Sequence, residues 1–267
     1  MSPLVIRADD GPVRTLTLNR PEKLNALSSE LTGALSEELT LAADDETVHV
    51  IVLGGAGRSF CAGYDLGEES PAGGYDEALA GLDHLLDRLL QVFDQPQPVV
   101  AMVQGHCLAG GCDLMMMCDL VVASDDSVFG QPEIKFGSAI VAHVLPWLVG
   151  ARRAKELVLT GHDRVDADTA AAIGLVNRVV PRADLETEAM ALAHRLAVVD
   201  PAVSRATKRA VNAGWEQAGF RQALRRGVEI GAEIEAIGSP ERLEFERIVA
   251  EQGLRAAIRW RDERFHR

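Results

Sequence analysis

Positive charge is what this chain has least of: 27 lysines and arginines stand against 40 aspartates and glutamates, a net charge of −13 over 267 residues. A phosphate-tracking basic face would have to be built against that background, which excludes general nucleic-acid binding. A small anionic ligand stays open to it through local arginines and lysines. No run of ~18 apolar residues occurs, so no membrane span is expected. The N-terminal stretch Met1-Ser2-Pro3-Leu4-Val5-Ile6-Arg7 lacks the apolar core and small-residue cleavage site of a secretory leader, and a cytoplasmic setting is expected. Cys61, Cys107, Cys112 and Cys118 lack the paired C-x-x-C spacing of zinc sites; no metal site is expected, and the thiols read as reduced and buried. Also missing are G-x-S-x-G, H-E-x-x-H and, in the glycine-rich 54–63 segment, both the G-x-G-x-x-G pattern and a closing G-K-[ST]. Serine-hydrolase, zinc-protease and nucleotide-loop chemistry fall away with them. With 47% hydrophobic, 25% charged and only 4% aromatic residues, the composition is that of an ordinary globular protein.

What is present is an alternation of strands and helices. Residues 4–7 and 13–18 read as two strands around the turn Asp9-Asp10-Gly11-Pro12, followed by a loop and a helix from Ser28 or Ser29 to about residue 44. Residues 48–53, 99–103 and 120–123 are short apolar runs of the kind buried on both faces of a parallel sheet. Helical spacing fills 76–93 and the run from the glycines at 110 and 111 to about 117, while 67–74 reads as a mobile Pro/Gly-rich loop. This βαβ pattern implies right-handed crossovers, with ligands at the carboxyl ends of the strands, where the glycine loops 54–66 and 104–111 fall. After residue 151, apart from a strand signal at 175–180, helical periodicity takes over, at 151–160, 166–172, 183–199, 201–213, 215–237 and 240–249. The tail reads as a lobe that covers the core or a partner subunit.

A few residues could carry chemistry. The stretch Gln104-Gly105-His106-Cys107-Leu108-Ala109-Gly110-Gly111-Cys112-Asp113 leaves a strand and bares backbone N–H groups at a helix start, which suits an anion or a developing oxyanion as well as it suits tight packing. Asp113, in the first turn of that helix, and Glu133, after Phe129-Gly130-Gln131-Pro132, could pair as general acid and base; either could instead compensate a helix dipole. His106 and His143 are bases on paper, and more often such histidines are packed and satisfied.

Four separated segments together resemble the crotonase family, the enoyl-CoA hydratase/isomerase superfamily, in order over roughly residues 3–260. They are Leu18-Asn19-Arg20-Pro21-Glu22-Lys23-Leu24-Asn25-Ala26-Leu27, Phe60-Cys61-Ala62-Gly63-Tyr64-Asp65-Leu66, residues 103–113, and Phe129-Gly130-Gln131-Pro132-Glu133-Ile134. The resemblance implies a crotonase-like α/β fold of repeated ββα units around a mostly parallel sheet, with a core over 1–199 and a helical lobe over 200–267 for oligomerisation and active-site cover. It implies the backbone N–H groups of Tyr64 and Gly110 as an oxyanion hole for a coenzyme A thioester, and Glu133 and Asp113 as the catalytic acids. Lys23, Leu24, Ala62, Tyr64, Asp65, Leu66 and Gly110 would bind the acyl-CoA substrate; no cofactor is implied. Arg58, Arg259, Arg261 and Arg264 offer local positive charge for the phosphates. The assembly implied is a homotrimer or a dimer of trimers.

The activity implied is hydration of a 2-enoyl-CoA to the 3-hydroxyacyl-CoA. Asp113 is one methylene shorter than the glutamate of the family's hydratases, about 1 Å less reach. Aspartate there is similar to the dienoyl-CoA isomerases, whose further aspartate is here Val141. The alternatives are therefore isomerisation, or hydrolysis or decarboxylation of another acyl-CoA on the same enolate site, and beyond those a non-catalytic acyl-CoA-binding protein.

Overall fold

The computed structural model describes residues 2–67 and 74–265, so most of the loop expected at 67–74 lies outside the described residues. In chain order the elements are β1 (Val5–Asp10), β2 (Val13–Leu18), α1 (Ser29–Ala43), β3 (Val50–Gly55), α2 (Tyr75–Phe93), β4 (Val99–Val103), β5 (His106–Leu108), α3 (Gly110–Met116), β6 (Leu120–Ser124) and β7 (Val128–Gly130). They continue as α4 (Leu145–Val149), α5 (Ala151–Thr160), β8 (Val165–Asp166), α6 (Ala167–Ala172), β9 (Arg178–Val180), α7 (Leu185–Ala197), α8 (Pro201–Gln217), α9 (Phe220–Ile237), α10 (Pro240–Gln252) and α11 (Leu254–Phe265).

Period-two side-chain alternation explains why the main sheet is covered on both faces. Its order is β1-β2-β3-β4-β6-β9, parallel throughout except for the opening β1–β2 hairpin. Along β3, Ile51 and Leu53 enter the large core with α1, α2 and α3, while Val50 and Val52 point the other way, onto Leu185, Ala189, Leu192 and Ala193 of α7. Helix α9 sends Phe220, Leu224 and Val228 into the same large core, and α10 and α11 close a small cluster of Phe245, Ile248 and Ala257 around Phe136. The fold is the mostly parallel α/β arrangement with C-terminal helices that the motifs imply.

Three features depart from the sequence reading. Strands β5, β7 and β8 form a second sheet in that order, where the sequence pattern gives a glycine loop over 104–111 and a helix from 166. With two or three residues each, these strands have no room to display a periodicity. The helix expected over 215–237 is divided: α8 runs on to Gln217, Gly219 takes φ +90°, and α9 restarts at Phe220. Helices α4 and α11 were not expected, being a single turn and a strongly polar segment respectively.

Candidate active site

Two loops leave the carboxyl ends of β3 and β4, and backbone hydrogen bonds zip them together. The Cys61 N–H donates to the His106 carbonyl at 3.0 Å, and the Leu108 N–H donates back to the Cys61 carbonyl at 3.0 Å. The pairing brings Gly63 against the start of α3: a Cβ on Gly63 would stand 3.5 Å from the Gly110 nitrogen. The first loop is held by 20–27. The Leu27 N–H donates to the Gly63 carbonyl, the Ala62 N–H to the Leu24 carbonyl, and the buried Asn25 amide to the Ala56 and Ser59 carbonyls. Among the described residues, neither the Tyr64 N–H nor the Gly110 N–H has a protein acceptor. Ala109, which precedes α3, adopts φ +50° and ψ −129°, an uncommon conformation for a residue with a Cβ; its N–H donates to the Gly130 carbonyl at 2.8 Å.

That last bond also carries the acids to the site. Because β7 lies parallel to β5, with Gly130 opposite Leu108, the chain after β7 is delivered beside the first turn of α3. Asp113 is fully buried there. Its Oδ1 accepts from the Gln131 side-chain amide at 2.5 Å and its Oδ2 from the Ala142 N–H at 3.4 Å. Glu133 opens the 3-10 turn Glu133–Phe136 and is 8% exposed; its Oε2 is buried with no partner among the described residues. Burial, first of all, raises both acids. Asp113 is held far above the usual carboxylate range, with the Glu133 charge adding to the effect, and Glu133 is pushed up to about 7. Two buried carboxyls in one site, one anchored at both oxygens and one with a free oxygen, can hold and move a proton near neutral pH.

The other residues implied by the motifs sort by their surroundings. Lys23 is exposed in the turn Pro21–Lys23, Leu24 is half-buried with φ +51°, and Leu66 is 45% exposed. Asp65 is tied within the chain, its carboxylate accepting from Arg20 at 2.7 Å and from the Gly67 N–H at 3.0 Å. His106 bonds the Ser59 hydroxyl at 3.2 Å on the outer side of the loop, and His143 is half-buried against Gly227 of α9. Arg58 and Arg259 are exposed; Arg261 stacks over Phe136 and Arg264 over Trp260, and both also pair with acids. Cys61, Cys107 and Cys112 are buried free thiols, and no three metal-ligating side chains gather among the described residues. Two groups escaped the sequence reading: Gln131, the nearest partner of Asp113, and the Tyr64 hydroxyl, which is buried and unpartnered. Gln131 is separated from Glu133 by one proline, which was its only signal.

Residues 9–228 match the family model described as enoyl-CoA hydratase/isomerase. The chain belongs to that family. A probable enoyl-CoA hydratase of Mycobacterium bovis is 38% identical over 216 residues, 78% of this chain and 80% of the relative. A short-chain-enoyl-CoA hydratase of Clostridium acetobutylicum is 35% identical over 217 residues, covering 79% of this chain and 82% of its own. Among solved structures, an enoyl-CoA hydratase/isomerase from Xanthobacter autotrophicus Py2 superposes with a TM-score of 0.95 over 98% of both chains at 41% identity. For an enoyl-CoA hydratase/isomerase enzyme, the acid pair and the two free N–H groups are the features to be accounted for.

Proposed function

We propose that this enzyme adds water to a 2-enoyl-CoA thioester to give the 3-hydroxyacyl-CoA. The observation that carries the reading is a buried Glu133 with one free carboxylate oxygen and a pKa near 7, in a site where the N–H groups of Tyr64, in the β3 loop, and Gly110, at the start of α3, are unpartnered. The Tyr64 and Gly110 N–H groups would receive the thioester oxygen, and they strengthen as it gains charge; a donor of this kind is worth ~3 to 4 kcal/mol in comparable sites. Ionised Glu133 takes a proton from water as the water oxygen bonds to C3. The C2–C3 π electrons move toward the thioester oxygen, giving the enolate. Glu133 then returns that proton to C2 on the same face, and the carboxylate is regenerated. Asp113, held at both oxygens, orients the water.

In this reading no cofactor takes part, and the coenzyme A portion lies along Lys23 and Leu24 of the 20–27 segment and Ala62, Asp65 and Leu66 of the β3 loop that it holds. The helices of 200–267 serve as a lobe over the site and as the surface of a homotrimer or dimer of trimers, working in the cytoplasm. No helix among the described residues is long and apolar enough to cross a membrane. A panel of straight and branched enoyl-CoAs in deuterated water tests the reading. Hydration with one deuterium at C2 supports it; deuterium exchange without hydration on any member of the panel contradicts it.

A further inference from the structure

Tyr64 enters the mechanism above only through its backbone, yet its side chain is placed as if it had its own task. The ring lies on the start of α3: a Cβ on Gly110 would stand 2.5 Å from its Cε2 and 2.9 Å from its Cζ. Tyr64 also lines a mostly apolar cavity together with Leu27, Leu35, Leu85, Leu89 and Leu114. The hydroxyl is buried and has no partner among the described residues, as is true of Glu133 Oε2. A phenylalanine would fill the same space without an unpaired hydroxyl, and a buried polar group left unpaired is costly. Burial first, and the neighbouring acids behind it, hold the phenol's pKa well above its ordinary value, so it stays a neutral donor throughout the working pH range.

We propose that the Tyr64 hydroxyl is a catalytic group that donates a hydrogen bond to the oxygen at C3, first as the incoming water and then as the product hydroxyl. The inference rests on the hydration reading above. The phenol keeps its proton, and no bond to it forms or breaks; Glu133 alone carries the proton that moves. A further consequence concerns specificity: the site favours acyl-CoA ligands with a hydroxyl at C3 over those of equal length without one.

Titration calorimetry with 3-hydroxybutyryl-CoA and butyryl-CoA, on the wild type and on Tyr64→Phe, tests this. The wild type should prefer the hydroxylated ligand by about tenfold, the size of one net hydrogen bond. Tyr64→Phe should lose that preference, bind butyryl-CoA within about twofold of the wild type, and hydrate crotonyl-CoA about tenfold more slowly. A Tyr64→Phe protein that keeps both preference and turnover overturns the proposal, and so does a wild type that binds the two ligands equally, a result that needs no variant to fold. If the wild type binds neither ligand, the acyl-CoA reading itself has failed and this inference falls with it.

Discussion

Glu133 and Asp113 carry the same functional group in different states of satisfaction, and the difference sets what each can do. Asp113 is anchored at both oxygens, while Glu133 keeps one free and is raised from 4.5 to about 7. In the proposed reaction its ionised form is the working base, so kcat/KM should climb with pH through an acid limb near 7. A limb near the ordinary glutamate value would contradict this. Burial raises the folded-state value above the unfolded one, so the stability linked to Glu133 is fully present below about 4.5 and is lost as pH rises through about 7. Glu133→Gln should therefore unfold like the wild type at pH 4 and be more stable at pH 8, by on the order of 3 kcal/mol. Thermal melts at the two pH values check it, and a constant difference would sink the burial argument. The neighbouring glycines separate site from scaffold. The nearest atoms to a Cβ on Gly110 belong to the Tyr64 side-chain ring, whereas one on Gly111 stands 2.4 Å from the Cys61 backbone carbonyl oxygen. Gly110→Ala should fold and lose turnover, while Gly111→Ala should lose about 1–3 kcal/mol of stability or more. Urea unfolding beside a turnover assay distinguishes them.

At the scale of elements, the site is made by the meeting of the β3 and β4 loops and by the short strand β7. The loops could be read in advance, because their glycines and the apolar runs before them are local signals. The positions of the two carboxyls could be read as well, since Asp113 falls in the first turn of α3 and Glu133 opens a 3-10 turn. Their partners could not: Gln131 and the Ala142 N–H reach Asp113 only because β7 pairs with β5, a contact between residues too few and too far apart to leave a pattern. The break at Gly219 was hidden for a related reason, since apolar spacing continues across it and only the positive φ marks the stop. The junction before α3 yields a prediction of its own. Ala109 holds φ +50° with a Cβ, so Ala109→Gly should leave stability unchanged or raise it by up to ~1 kcal/mol, and Ala109→Val should lower it. Chemical denaturation of the two variants decides it; a marked loss in Ala109→Gly would mean that the methyl group, not the backbone, matters there.

For the whole molecule, the parallel sheet and the switch to helices after residue 151 were readable from run length and periodicity, while the small second sheet was not. The joining of α9 to the main core was equally hidden, because Phe220, Leu224 and Val228 have the spacing of any amphipathic helix and do not say what they cover. Val198, Val203 and Val211 lie exposed at the end of α7 and along α8, and the proposed assembly would cover apolar surface of this kind. Sedimentation should find three or six chains; a monomer at micromolar concentration would remove that part of the proposal. The central claim is that one buried glutamate adds water to a conjugated thioester. Its most direct measurement is the loss of the conjugated thioester absorbance of crotonyl-CoA with wild type and with Glu133→Gln. The account predicts turnover by the wild type and a fall of about 10²-fold or more in the variant. Full activity in Glu133→Gln would contradict it.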